Sequence, residues 1–139
     1  MNDQTELIRL LNEDLSLELG SIVQYVNHIA TIKGAEYQQT LNELAHHVNQ
    51  ELSHALILAR QIDFLGGEPT TDVQPVQAGT DPESALREDL LLEESQLERY
   101  RERVDQAVEA GLPDVAEALA PVLQDTQHHI RDLRSALGA

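Results

Sequence analysis

Glu51 and His54 stand three residues apart in the stretch QELSHA. On a helix that spacing puts a carboxylate and an imidazole on one side, about a turn apart. Oxygen and nitrogen donors so placed suit iron, manganese or zinc. Towards the C-terminus, QDTQHHI sets His128 and His129 three and four residues after Asp125. Neighbouring residues on a helix point about 100° apart, so one of these histidines faces a core and the other does not. Glu18 and Glu93 are two further acids in otherwise apolar runs. Singly, each has a plain explanation: Glu-x-x-His occurs by chance on surface helices, and a helical Glu usually faces water. Their positions relative to one another decide between the two.

Those positions are set by four segments. Breaks at Gly34, Gly66 and Gly111 leave about 4–33, 36–65, 82–110 and 113–137, all rich in Leu, Ala, Glu, Gln and Arg, the good helix formers. Asp3 before Glu6 and Thr80 before Glu83 have the spacing of capping boxes, the second with a proline in its first turn. Short connections make antiparallel neighbours, and the long one, about 66–81, is long enough to cross a bundle from end to end. The expected architecture is all-α: one domain over 1–139, an antiparallel four-helix bundle with a single long crossover between helices 2 and 3, the connectivity of ferritin-like bundles. No internal repeat is strong enough to argue from, and there is no low-complexity tract.

Along each segment apolar residues recur at spacings of three and four, the mark of a core-facing stripe. Each stripe is interrupted in its middle: Leu15, Glu18, Ile22, Tyr25 in the first; Val48, Glu51, Ala55 in the second; Leu90, Glu93, Leu97, Tyr100, Val104 in the third; Val122, Thr126, His129, Leu133 in the fourth. At about 1.5 Å rise per residue, antiparallel helices of this length bring their middles to one height. Three carboxylates and two imidazoles are therefore expected to converge, His54 joining from the edge of its stripe. His129 points in. His128, in line with Asp125 and Asp132, is expected in solvent, as is Glu94 beside Arg87, Glu98 and Arg101. Three uncompensated buried carboxylates cost several kcal/mol each, and none of the 9 Lys and Arg falls on these stripes at that level. One or two divalent ions, or shared protons in a degenerate polar core, would hold them together. Glu51-x-x-His54 is also the spacing by which di-iron carboxylate bundles supply ligands to both metals.

Charge narrows the partners. With 25 acidic residues against 9 basic ones, the net charge of −16 disfavours nucleic acid and anionic lipid. It attracts cations, solubility being the plain alternative. The absence of cysteine excludes disulfides and thiolate metal sites and fits a reducing, cytoplasmic setting. No signal peptide is read in MNDQTELIRLL, and no window is apolar for the length a bilayer demands.

The stretches LNEDLSLELGSIVQYVNH, QELSHA, FLGGEP and LREDLLLE together resemble bacterioferritin, in a register that runs from residue 1 to residue 139 with hardly a gap. The resemblance implies a di-iron ferroxidase centre, with Glu18 and His54 as terminal ligands of one metal, Glu93 and His129 of the other, and Glu51 bridging. Tyr25 matches the tyrosine the family carries beside the centre, an electron donor or simply a buried aromatic with a bonded hydroxyl. His46 matches a histidine on the cavity side, while the family's neighbouring carboxylates are here His47 and Gln50. The family's second bridging Glu is Thr126; Asp125 is the first candidate for a replacement ligand, with Gln127 and the Thr126 hydroxyl weaker ones. Three glutamates leave two divalent ions about one charge uncompensated, so a single-metal site is an alternative. Pro121 is expected to kink helix 4 near this level. The family's haem methionine is Leu52, and the only methionine is Met1, so no haem is expected. The family's short fifth helix has no counterpart, so a homodimer or a smaller shell is expected rather than a full mineral-storing cage. The implied function is oxidation of two Fe(II) ions by oxygen or peroxide, in iron homeostasis or protection from oxidative stress. The alternatives are a di-metal oxidase for another substrate, and a bundle with a structural, sensing or vestigial site.

Overall fold

The computed structural model describes residues 3–138. Its elements are α1 (Asp3–Thr31), a 3-10 turn (Ala35–Tyr37), α2 (Gln38–Phe64), α3 (Pro82–Glu109), α4 (Pro113–Ala118) and α5 (Ala120–Leu137), with no strand among the described residues. α4 and α5 together form the fourth rod of an antiparallel four-helix bundle. Glycine ends two of the rods. Gly66 (φ 89°) and Gly111 (φ 77°) take left-handed conformations that close the last turns of α2 and α3, letting Gly67 N and Leu112 N donate back to Ile62 O and Ala107 O. α3 starts one residue later than Thr80 would have it. Asp81 is the cap, accepting from Ser84 N at 2.9 Å while Ser84 Oγ accepts from Asp81 N at 3.1 Å. This register puts Pro82 at the first helical position, where its missing N–H costs nothing.

The fourth segment, read as one helix over 113–137 with a kink at Pro121, breaks at Leu119. Pro121 has no N–H to donate and its ring crowds the carbonyl four residues back, so the helix stops and restarts with the proline in its first turn. The irregularity therefore lies more than a turn before Thr126.

α1 runs antiparallel to α3, because Asp14 meets Arg103 at one end and His28 meets Asp89 at the other. It is likewise antiparallel to α2, with Gln4 donating to Leu65 O. α2 and α3 consequently share a direction, and the chain between them must travel the bundle's length. Helix α3, of 28 residues, is about 42 Å long, within reach of the 65–81 segment at about 3.3 Å per extended residue. One ridge of α1 receives this strap. Asn12 accepts from Thr70 N (2.8 Å), Ser16 O from Gln74 N (3.2 Å) and Gln24 Oε1 from Gln77 N (3.1 Å), while His28 Nε2 donates to Ala78 O. Gly20, on the same ridge, has no room for a side chain: a Cβ there would lie 2.8 Å from Gln74 O.

The apolar core comes in two clusters. Leu7, Leu11, Leu58, Ile62 and Leu119 anchor one, and Ile32, Leu44, Leu86 and Leu133 the other. Each such side chain contributes about 1.5–3 kcal/mol by burial. A polar layer lies between them, wider than the stripes predict. On α3 the buried line includes Asp89, Gln96 and Arg103, while Leu90, Leu97 and Val104, expected inside, are half-buried. The stripe turns because these polar groups find partners on α1. Arg103 is only 1% exposed, and its Nε and Nη2 donate to Asp14 at 2.7 and 3.3 Å; Arg99 Nε donates to the same carboxylate at 2.7 Å. At the opposite end Asp89 accepts from Gln24 (2.8 Å) and His28 (2.9 Å).

Removing one member of a buried pair strands the other. Asp14→Ala is expected to cost about 3–5 kcal/mol in urea unfolding, and the double change Asp14→Ala with Arg103→Leu to recover most of it. A single-variant loss under about 1 kcal/mol would show that the pair is not buried in solution.

Candidate metal centre

The polar layer brings Glu18 of α1, Glu51 and His54 of α2, Glu93 of α3 and His129 of α5 into one volume, each 0–1% exposed. Two groups share it. One donor atom each from Glu18, Glu51 and His54 lie within 4.8 Å of one another, and the same holds for Glu51, Glu93 and His129. Glu51 belongs to both. His54 Nδ1 stands 3.5 Å from Glu18 Oε1 and 3.6 Å from Glu51 Oε2, and His129 Nδ1 stands 3.0 Å from Glu51 Oε1 and 3.2 Å from Glu93 Oε1.

Groups further out fix these side chains. Tyr25 donates to Glu93 Oε1 at 2.8 Å and Tyr100 donates to Glu18 Oε1, one tyrosine from each apolar cluster. Burial and the neighbouring carboxylates push both phenols well above their usual range, so they remain donors. His54 Nε2 donates to Asp125 Oδ2 at 2.9 Å. His129 Nε2 meets Gln50 Oε1 at 2.6 Å, and because Gln50 Nε2 faces Asp125 Oδ1 at 3.4 Å, the histidine is the donor there as well. Both imidazoles thus carry a proton on the outward nitrogen and turn Nδ1 to the carboxylates.

The electrostatics are those of too much negative charge in a dry place. Burial, with Glu18 and Glu93 alongside, pushes the Glu51 carboxyl well above its usual range. Burial acts on Glu93 in the same direction, but bonds from His129, Glu51 and Tyr25 outweigh it and hold that carboxyl at about 2. Burial disfavours a charged His54, yet the nearby Glu18 carboxylate and the bond to Asp125 raise its pKa above the ordinary value. Glu18 Oε2, Glu51 Oε2, Glu93 Oε2 and His54 Nδ1 are all buried without a hydrogen-bond partner among the described residues. Unpaired buried acceptors are costly, and this donor set, three oxygens and imidazole nitrogen, fits divalent iron, manganese or zinc.

The other positions singled out in the sequence lie around this volume. Asp125, read as a replacement ligand, instead sits behind His54 on its outer nitrogen, because a one-residue offset from Thr126 turns it towards the α2–α5 edge. Thr126 is buried but donates to Val122 O of its own helix at 2.7 Å. His128 is exposed, Glu94 pairs with Arg134 near the surface, and His46 is exposed. His47 is 1% exposed; its ring stacks on His129 at 4.0 Å, its Nε2 lies 3.0 Å from Asp132, and burial and His129 lower its pKa to about 4.

The stripe argument turned Tyr100 inward but gave it no role beside Glu18, and it missed the paired outer groups, yet the chain carries a signal for them. The segments DLSLELGSIVQY (14–25) and DLLLEESQLERY (89–100) share Asp, Leu, Leu, Glu and Tyr at the same places, 75 residues apart. The offset relates Glu18 to Glu93, Tyr25 to Tyr100 and His54 to His129, and it maps the Asp14–Arg103 pair onto the Asp89–His28 pair. Gln96 donates to Ser21 at 3.0 Å and Gln50 to Asp125, each bonding its own counterpart across a pseudo-twofold axis. The repeat lies in the buried polar positions and is diluted by the surface ones, which is why the sequence read as unrepeated.

A profile of the ferritin-like domain matches residues 8–139. A bacterial ferritin of Neisseria meningitidis serogroup B (strain ATCC BAA-335 / MC58) is 28% identical over 127 residues, covering 91% of this chain and 82% of the relative. A bacterioferritin of Desulfovibrio desulfuricans (strain ATCC 27774 / DSM 6949 / MB) is 26% identical over 128 residues, 91% of this chain and 72% of its own. Among solved structures, a ferritin-like diiron-carboxylate protein of Bacillus anthracis str. Ames superposes with a TM-score of 0.94 at 31% identity over 99% of both chains. Rhodobacter capsulatus bacterioferritin, with a metal-free dinuclear site and haem iron, gives 0.84 at 25% identity over 96% of this chain and 84% of that one. In sequence over nearly its whole length, and in fold, the chain belongs to the ferritin-like domain family.

Proposed function

We propose that this chain binds divalent iron between its four helical rods, up to two ions, and oxidises it. The observation that carries the reading is a convergence of buried atoms with no hydrogen-bond partner among the described residues: one oxygen of each of Glu18, Glu51 and Glu93, with His54 Nδ1 among them. Glu18 and His54 would hold one ion, Glu93 and His129 the other, and Glu51 both. Ferrous ions bound there supply one electron each to an oxygen or peroxide oxidant. The chain's own part is positional and electrostatic. Tyr25 and Tyr100 each hold one carboxylate oxygen and leave the other for metal, Asp125 and Gln50 keep the Nδ1 atoms turned inward, and the two apolar clusters exclude water. The net charge of −16 draws cations to the protein. Among the described residues no helix is long and apolar enough to cross a membrane. The same reading takes the chain as a homo-oligomer, with the roughly half-exposed Val23 and Val26 of α1 and Leu52 and Leu56 of α2 among the apolar groups it would cover.

A second reading has one observation in its favour. Thr126 brings no carboxylate and donates its hydroxyl to its own helix, so three glutamates face two ions and about one charge is left for solvent hydroxide to balance. A single-metal structural or sensing site follows if that balance fails.

Anaerobic Fe(II) titration of the metal-free chain, followed by oxygen, separates the two. About two irons per chain with rapid oxidation is the expected result; one or none, with slow oxidation, would leave the second reading in place. The metal-free protein makes its own prediction. A folded carboxyl held above its unfolded value of 4.5 makes stability fall as pH rises from 4.5 towards the folded pKa. Glu51→Gln removes that fall, so at neutral pH the metal-free variant should be about 1–3 kcal/mol more stable than its parent. It should also lose most of the stabilisation that metal confers. A variant no more stable at any pH would contradict the buried-charge account.

A further inference from the structure

The pseudo-twofold axis makes the two halves of the centre comparable atom by atom, and it breaks at the groups behind the histidines. His54 donates its outer N–H to a carboxylate, Asp125 Oδ2, at 2.9 Å. His129, its counterpart, donates to a neutral amide, Gln50 Oε1, at 2.6 Å. The inner nitrogens differ too. His129 Nδ1 lies within hydrogen-bond distance of Glu51 and Glu93, whereas His54 Nδ1 is buried with no hydrogen-bond partner among the described residues, 3.5 Å from Glu18 and 3.6 Å from Glu51. We propose that the two positions fill in order, the first divalent cation taking Glu18, Glu51 and His54, with Asp125 as the positioning residue that sets this order.

Two independent physical arguments support the order. An imidazole whose far N–H is given to a carboxylate is a stronger metal donor than one given to an amide, and such outer partners change metal affinity by about 10–100-fold. Separately, His54 Nδ1 makes no close carboxylate contact that a cation would have to break, while His129 Nδ1 already lies 3.0 and 3.2 Å from Glu51 and Glu93, contacts that a cation there must replace. With Thr126 where a second bridging acid would stand, Glu51 is the one carboxylate both positions share, and the first ion to bind claims it. The second ion then meets Glu93 and His129 with a bridge already half-neutralised. Filling is therefore stepwise.

The inference rests on the metal-binding reading above, and Co2+ titration of the metal-free chain under nitrogen tests the two separately. Binding is followed by calorimetry and by the visible absorption of Co2+. Two unequal steps are expected, with Asp125→Asn weakening the tighter one by about 10–100-fold and sparing the other. Gln50→Glu, which places a carboxylate behind His129 as well, should tighten the weaker step and narrow the gap. His54→Ala should abolish the tight step, and His129→Ala the weak one. Equal steps in the parent chain would overturn the order while leaving metal binding intact. So would an Asp125→Asn variant that weakens both steps alike or neither, or a lone step it leaves unchanged. Absence of Co2+ uptake in parent and variants alike would overturn the metal-binding reading, and the order with it.

Discussion

Three carboxyl groups held in a layer from which water is excluded set the terms for the rest of this structure. Glu18, Glu51 and Glu93 are each 0% exposed, and their proximity alone would drive the rods apart or force protons onto them. The helices stay together because apolar clusters above and below the layer clamp them, each with several fully buried Leu and Ile side chains. Inside the layer the charge is managed group by group. Tyr25 and Tyr100 satisfy one oxygen of Glu93 and of Glu18 respectively, His129 approaches two of the acids, and burial beside Glu18 and Glu93 pushes the Glu51 carboxyl well above its usual range. What remains is a set of inward acceptors with nothing to accept from among the described residues, a deficit that a cation would answer.

The second organising feature is the 75-residue offset. It places a buried ionic or polar cluster on each side of the centre, Asp14 with Arg99 and Arg103 on one, Asp89 with Gln24 and His28 on the other. These clusters fix the register of α1 against α3, and so the height at which Glu18 and Glu93 meet. Where the halves differ, the differences have consequences. Gln24 and His28 also bond the crossover strap, whereas their counterparts Arg99 and Arg103 serve Asp14, since only one face of the bundle carries a strap. Thr126 opposite Glu51, and Asp125 opposite Gln50, make the two carboxylate–imidazole groups unequal within an otherwise symmetric frame.

Much of the architecture was legible before any coordinates. Gly66 and Gly111 end helices because those turns need left-handed backbone, and the interrupted stripes put Glu18, Glu51, Glu93 and His129 on inward faces. Local rules failed where two of them competed. Thr80 and Asp81 both offer a cap, and the position of Pro82 favoured the aspartate. Leu90 and Asp89 both offer a buried residue on α3, and the aspartate went inside because Gln24 and His28 were waiting on another helix.

That contrast marks the division. By itself the sequence determined the four rods, their connectivity, the apolar faces and the acids that interrupt them, because helical periodicity and glycine breaks are local properties of the chain. Only the tertiary structure decided which polar residues are buried, that Arg103 lies in the core, that Asp125 stands behind His54 instead of beside Glu51, and that Tyr100 mirrors Tyr25. A buried polar group is tolerable only with a partner, and each of these partners comes from a different helix, at separations in sequence of 68–89 residues.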